Sequence, residues 1–227
     1  MIHQHIDMTT TTTSRTTSAY PSCQNIPKDD KSVLRRLFVS RFGAHGRCVE
    51  IDYAQLEIVV LALLCKDPKF LSDLRSGVDF HVKRAAAFSG RSYEEIINGY
   101  KAHDNTYVEL RRRAKRFSFQ RLYGAGVRLL HKSTGIPVCD LNTLIDTEAR
   151  EYPRITSFHR LTRAVALRAQ NPGLPTHLLV ELPTGVRMSH RTRDVVFNLP
   201  PVKNYPIQGY GAELVQIMLG CVLRRFV

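Results

Sequence analysis

The sequence predicts an α+β fold in which a partial sheet is interrupted by a large, all-helical insertion. Three observations predict it. Short apolar runs bounded by turn residues fall in the first quarter of the 227-residue chain. Residues 67–169 carry mostly helical apolar spacing. Strand-like runs then return at 178–199, ahead of a last helical pattern. The expected boundaries are residues 1–70 for the first sheet-bearing part, 71–176 for the helical insertion and 177–227 for the return.

Taken in order, residues 9–18 are a threonine-rich polar stretch broken by Arg15, expected to be extended or loop. Residues 34–39 and 48–52 read as two strands around a Gly43 to Gly46 turn, the second ending on Asp52. Residues 53–64 follow with Leu56, Val59, Val60, Leu63 and Leu64 at helical spacing, a helix that Asp52 or Tyr53 would initiate. Breaks in the helical region are expected near Gly77, Gly90, Gly99, Gly135 to Pro137 and Pro153. Residues 178–182 and 186–188 flank a Pro-Thr-Gly turn and read as a hairpin, with 195–199 a possible third strand stopped by Pro200 and Pro201. The last helix is expected to start near Gln208 and to run through Ala212, Leu214, Val215, Met218 and Leu219.

With 43% hydrophobic and 23% charged residues, the composition is that of an ordinary globular chain. The 33 lysines and arginines against 20 acidic residues leave a net charge of +13, which points to a polyanionic partner, nucleic acid before membrane. The longest apolar run, 58–65, is too short to span a bilayer. Five scattered cysteines without a CxxC pair favour a reducing compartment and no structural zinc. A cytoplasmic location is expected, because no basic region followed by an apolar run opens the chain.

The segment LRRRAKRFSFQRLYG, residues 110–124, places Arg111, Lys115, Phe119 and Tyr123 four apart. On a helix such residues form one stripe. Two cations suit phosphate oxygens, and two rings suit the face of a base. The competing reading makes the cations solvated and the rings core. In IDYAQLE, Asp52 stands at a strand end and Glu57 early in the next helix. Such an aspartate is either a helix N-cap or, with an adjacent backbone carbonyl, a magnesium ligand.

Five short blocks in order resemble the polymerase domain of family A DNA polymerases. SRTTSAYPSCQNIP resembles the family's TGRLSSSxPNLQNIP, and IDYAQLE its first catalytic motif, DYSQIE. DFH at Asp79 to His81 resembles DIH, RRRAKRFSFQRLYG resembles RxxxKxxxFxxxYG, and NYPIQG at Asn204 to Gly209 resembles NxPIQG. The resemblance implies a partial palm sheet with inserted helical fingers, and DNA-templated deoxynucleotidyl transfer to a primer 3' hydroxyl.

It also implies roles. Asp52, with Tyr53 beside it, would bind magnesium, and Asp52 and Lys115 would be catalytic. His81, Arg111 and Lys115 would hold the incoming triphosphate, with Phe119 and Tyr123 at the base and Glu57 excluding a ribose 2' hydroxyl. Arg15, Gln24, Asn25, Asn204 and Gln208 would touch primer-template DNA. Glu57 and Phe119 match the DNA-polymerizing pattern rather than that of single-subunit RNA polymerases.

Some residues depart from the pattern. EIV at Glu57 to Val59 stands for ELR, Ser14 for a glycine, and GYGAE at Gly209 to Glu213 for GTAAD. The family's second catalytic aspartate, in its HDE motif, follows the last palm helix, where this sequence stops at Val227. The expectation is therefore a palm and fingers portion that is inactive alone, with a second polypeptide supplying thumb and HDE motif. The alternative is a non-catalytic binder of primer-template or nucleotide.

Overall fold

The computed structural model describes residues 4–7, 11, 13–26, 33–169, 176–192 and 199–226. The chain divides into two compact units, 1–54 and 55–227. Among the described residues it is mostly helical, with two small antiparallel two-stranded sheets.

In the first unit, β1 (His5–Asp7) pairs with β2 (Thr17–Ala19), His5 lying opposite Ala19. The end of the threonine-rich stretch is thus a strand, as suits a β-branched residue. The two strands expected at 34–39 and 48–52 are not formed. Val33–Leu37 is a 3-10 turn, and residues 48–52 have no regular structure. A strand exists only by pairing, and no described segment pairs with either. Their apolar side chains stay outside, Val39 at 78% exposure and Val49 at 77%.

The second unit begins with α1 (Leu56–Cys65), three residues later than Tyr53. Neither Asp52 nor Tyr53 initiates it. Gln55 takes the N-cap position in a left-handed conformation, φ 55°, with no side-chain cap bond. Its amide instead accepts from Phe80 N at 2.9 Å and donates to the Val78 carbonyl at 3.2 Å, pinning the loop ahead of the third helix. Helix α1 is apolar nearly all round and so is packed on several sides, burying Ile58, Val60, Leu61 and Ala62.

Seven helices follow, most of them with local start signals. Asp67 caps α2 (Pro68–Arg75), whose Pro68 sits in the first turn where an N–H is not needed. Asp79 caps α3 (Phe80–Ser89), Ser92 caps α4 (Tyr93–Lys101) and Asp104 caps α5 (Asn105–Leu122). Then come α6 (Val127–Thr134) and α7 (Val138–Glu151). Pro153 opens α8 (Pro153–Arg168). The breaks expected at Gly77, Gly90, Gly135 to Pro137 and Pro153 coincide with helix boundaries. The one expected near Gly99 falls just beyond it, at residues 102–104, and Gly99 itself lies inside α4. A Cβ there would come within 2.2 Å of the Tyr107 ring, so the missing side chain makes room for α5 to pack on α4.

The expected hairpin forms, with β3 (Thr176–Glu181) against β4 (Arg187–Thr192) and Glu181 opposite Arg187. Of the possible third strand, residues 195–198 lie outside the described residues, and Leu199 begins α9 (Leu199–Phe226). This helix starts nine residues before Gln208. Pro200 and Pro201 fall in its first turn, where they are tolerated, and Pro206 forgoes a single helical hydrogen bond.

Helix α5 organises the packing. Its Ala114 joins Val82, Ala85 and Ile96, its Phe117 joins Leu130, Ile136, Leu141 and Leu144, and its Leu122 joins the α1, α8 and α9 core around Ile58, Ile155 and Ile207. Burying a ring such as Phe117 contributes about 2–3 kcal/mol.

Candidate functional site

The buried face of α5 is Ala114, Phe117, Ser118 and Leu122. Arg111, Lys115, Phe119 and Tyr123 occupy the neighbouring stripe, at the edge of that face. Phe119 and Tyr123 are half-buried and Lys115 is exposed, so the rings are neither core nor free surface. The Lys115 ammonium lies 5.5 Å from the Phe119 ring centroid. Among the described residues Lys115 makes no ion pair.

Arg111 is engaged. Its Nε and Nη2 both donate to Oδ2 of Asp79, at 3.0 and 2.8 Å, and its guanidinium carbon sits 4.5 Å from the Tyr100 ring centroid. The other oxygen of Asp79 accepts the amides of His81 and Val82, capping α3. This carboxylate, noticed in the sequence only as part of the DFH block, holds both the first turn of α3 and the first cation of the stripe.

His81 is brought to the same place. Its ring stacks on Phe119 at 6.3 Å, and its Nδ1 lies 3.0 Å from Ser118 Oγ. Burial, then the nearby Arg84 guanidinium, pushes its pKa down to about 3, so the ring is neutral. Behind Ser118, Arg84 donates to its Oγ at 2.8 Å and to Glu148 Oε2 at 2.6 Å, a buried chain from α5 through α3 to α7. Sequence reading missed Ser118 and Arg84. The only available signal was the placing of Ser118 on the buried stripe.

At the far end of the stripe, Gln208 Nε2 donates to the Tyr123 hydroxyl at 3.1 Å, joining α9 to α5. Asn204 lies one turn earlier on α9, half-buried. The chain leaves α5 through Gly124 at φ 76°, where a Cβ would come within 2.5 Å of Lys203 Nζ. Burial, then Arg121 and Arg163, lowers the pKa of Lys203. Glu57 is half-buried in the first turn of α1. The second unit therefore brings together His81, Arg111, Lys115, Phe119, Tyr123 and Gln208.

Asp52, Tyr53, Arg15, Gln24 and Asn25 belong to the first unit. Arg15 is exposed just ahead of β2, and Gln24 Nε2 donates to the Thr16 carbonyl and hydroxyl, both at 3.1 Å. Asn25 Nδ2 donates to Ser22 Oγ at 3.0 Å. Asp52 is exposed, caps no helix, and among the described residues makes no hydrogen bond or ion pair. The N-cap alternative for Asp52 is thus set aside. No group of three or more metal-ligating side chains occurs among the described residues. One uncommitted carboxylate with a neighbouring backbone carbonyl is nonetheless the partial donor set that magnesium accepts, since that ion takes its remaining oxygens from water and phosphate. No helix among the described residues is long and apolar enough to cross a membrane.

Three comparisons bear on the chain as a whole. The profile of DNA polymerase family A matches residues 1–225. DNA polymerase I of Rhizobium leguminosarum is 27% identical over 223 residues, 95% of this chain and 20% of that protein. DNA polymerase I of Streptococcus pneumoniae is likewise 27% identical over 223 residues, 96% of this chain and 24% of its own length. The thermostable DNA polymerase I of Thermus thermophilus is 30% identical over 159 residues, 69% of this chain and 18% of that protein. The chain thus spans about a fifth of the relatives it matches. Its fold is similar to that of the POL domain of Pol1 from M. smegmatis, solved in complex with DNA primer-template and dNTP. That match has a TM-score of 0.66 and 23% identity, covering 95% of this chain and 36% of that one. A match along nearly the whole chain leads to one conclusion: the protein belongs to DNA polymerase family A.

Proposed function

We propose that the chain is the palm and fingers portion of a template-directed DNA polymerase, with palm at residues 1–70 and 177–227 and fingers at 71–176. The observation that most supports this is the α5 edge, where Lys115, Phe119 and Tyr123 follow one another beside His81. The reaction is transfer of a deoxynucleotide to a primer 3' hydroxyl with release of pyrophosphate. Lys115 and Arg111 bind the triphosphate, Arg111 after exchanging Asp79 for phosphate oxygens, because a guanidinium fork fits either anion. Phe119 and Tyr123 offer ring faces to the base, and the Gln208 bond orients Tyr123. Glu57 sets the preference for deoxyribose. Arg15, Gln24, Asn25, Asn204 and Gln208 position primer-template through its backbone and minor groove, without reading much sequence.

Asp52 and the Tyr53 carbonyl would hold magnesium. When bound, that ion neutralises phosphate charge and favours the deprotonated primer hydroxyl. Within these 227 residues Asp52 alone matches the family's catalytic pair, so joining would need the HDE carboxylate and a thumb from further polypeptide.

The test is fluorescent dNTP and primer-template binding by the 227-residue chain, followed by primer extension with a thumb and HDE polypeptide added. Binding alone and extension only in the mixture are expected, with Asp52→Ala abolishing extension. Binding that survives Asp52→Ala, with no extension in any mixture, would make the chain a non-catalytic binder. Equal use of ribonucleotides would remove the role given to Glu57.

A further inference from the structure

Ser118 Oγ lies among three polar atoms: 2.8 Å from the Ala114 carbonyl oxygen, 2.8 Å from Arg84 Nη1 and 3.0 Å from His81 Nδ1. A hydroxyl has one proton and two lone pairs. The carbonyl can only accept, so it takes that proton. The guanidinium can only donate, so it fills one lone pair. The lone pair left over is satisfied only if His81 carries its proton on Nδ1. In a neutral ring, Nε2 is then bare, and among the described residues it makes no hydrogen bond.

We propose that Ser118, backed by Arg84, holds neutral His81 as the Nδ1–H tautomer, so that His81 grips a nucleotide phosphate only by taking up a proton at Nε2. This rests on reading the α5 edge as a triphosphate site. Ser118 and Arg84 are positioning residues that act through the imidazole.

The charges around His81 fit a ring that waits in its neutral form. Arg84 and Asp79 face it from α3, and Arg111 and Lys115 from α5, while Glu148 on α7 is taken up by Arg84. Three cations against one carboxylate, together with burial, disfavour a second ring proton. Arrival of a polyphosphate reverses the local sign and favours the imidazolium. A neutral Nε2 lone pair facing phosphate oxygens would repel them, so binding and protonation go together.

Nitrogen-15 spectra of the imidazoles in the free 227-residue chain, with His81 assigned through His81→Asn, read the tautomer directly. A protonated Nδ1 and a bare Nε2 are expected, and a protonated Nε2 in the wild type overturns the proposal. Calorimetry of dATP binding at neutral pH, in two buffers of different ionisation enthalpy, counts protons. Wild type and Ser118→Thr, which keeps the hydroxyl, should take up as much as one proton more than His81→Asn. Ser118→Ala should still bind but lose that excess, because its imidazole is free to adopt the Nε2–H form. Binding of dATP with no excess uptake in the wild type overturns this proposal and leaves the site reading standing. Failure of every form to bind dATP overturns both.

Discussion

Asp79 Oδ2 accepts both Nε and Nη2 of Arg111, so the first cation of the α5 stripe is held by the residue that caps α3. Asp79→Asn keeps a capping oxygen but gives up the charge, and it is expected to release Arg111 and tighten dATP binding several-fold. Asp79→Ala loses the cap as well and should cost about 2 kcal/mol in urea unfolding. Weaker dATP binding by Asp79→Asn would show that Arg111 does not turn to phosphate.

Arg84 and Glu148 form an ion pair at 2.6 Å, with side chains 10% and 8% exposed. Arg84→Met leaves Glu148 with little but Arg121 at 3.7 Å, and the expected loss is about 3–5 kcal/mol. Adding Glu148→Gln should recover a large part of it, because the stranded charge goes too. Chemical unfolding followed by circular dichroism distinguishes this from simple additivity, which would mean that the pair is not coupled.

An alanine for glycine inside a helix normally stabilises by about 1 kcal/mol. Gly99→Ala should do the opposite, since its Cβ would meet Tyr107 at 2.2 Å. In a Tyr107→Ala background the ordinary sign should return. A melting temperature that rises in both backgrounds would show that the ring moves aside without cost.

His159 is buried on α8, and neither ring nitrogen has a hydrogen-bond partner among the described residues. Burial, then Arg121 and Lys203, pushes its pKa down from 6.5 to about 4. The fold holds the neutral ring, so this group's contribution is fully present above pH 6.5 and is lost as pH falls through 4. The whole contribution is about 3 kcal/mol. His159→Leu should be as stable as wild type at pH 7 or more so, and its stability should fall less steeply from pH 6.5 to 4. Parallel pH profiles would remove His159 as the source, leaving His81, which titrates in the same direction.

Much of the helical part was legible in the sequence. The stops at Gly90 and Gly135 act within one turn of chain, so residue order alone reveals them, while the equally local caps at Asp67, Asp79, Ser92 and Asp104 were not singled out. The β3 and β4 hairpin is likewise local, its partners joined by the Leu182 to Val186 turn. The strands read at 34–39 and 48–52 failed because apolar runs disclose a wish for burial but not a pairing partner.

The candidate site divides along the same line. The sequence by itself determined the α5 stripe, because 3.6 residues per turn aligns Arg111, Lys115, Phe119 and Tyr123 wherever a helix forms. It also determined the family, through ordered blocks spread over nearly the whole chain. Only the tertiary structure decided what each side chain does there. Asp79 occupies Arg111 from 32 residues away, Ser118 reaches His81 across 37 and Arg84 across 34, and Gln208 reaches Tyr123 across 85. Helix hydrogen bonds close over four residues and can be read along the chain. A proton's place on His81 depends on which distant donors and acceptors packing brings to it.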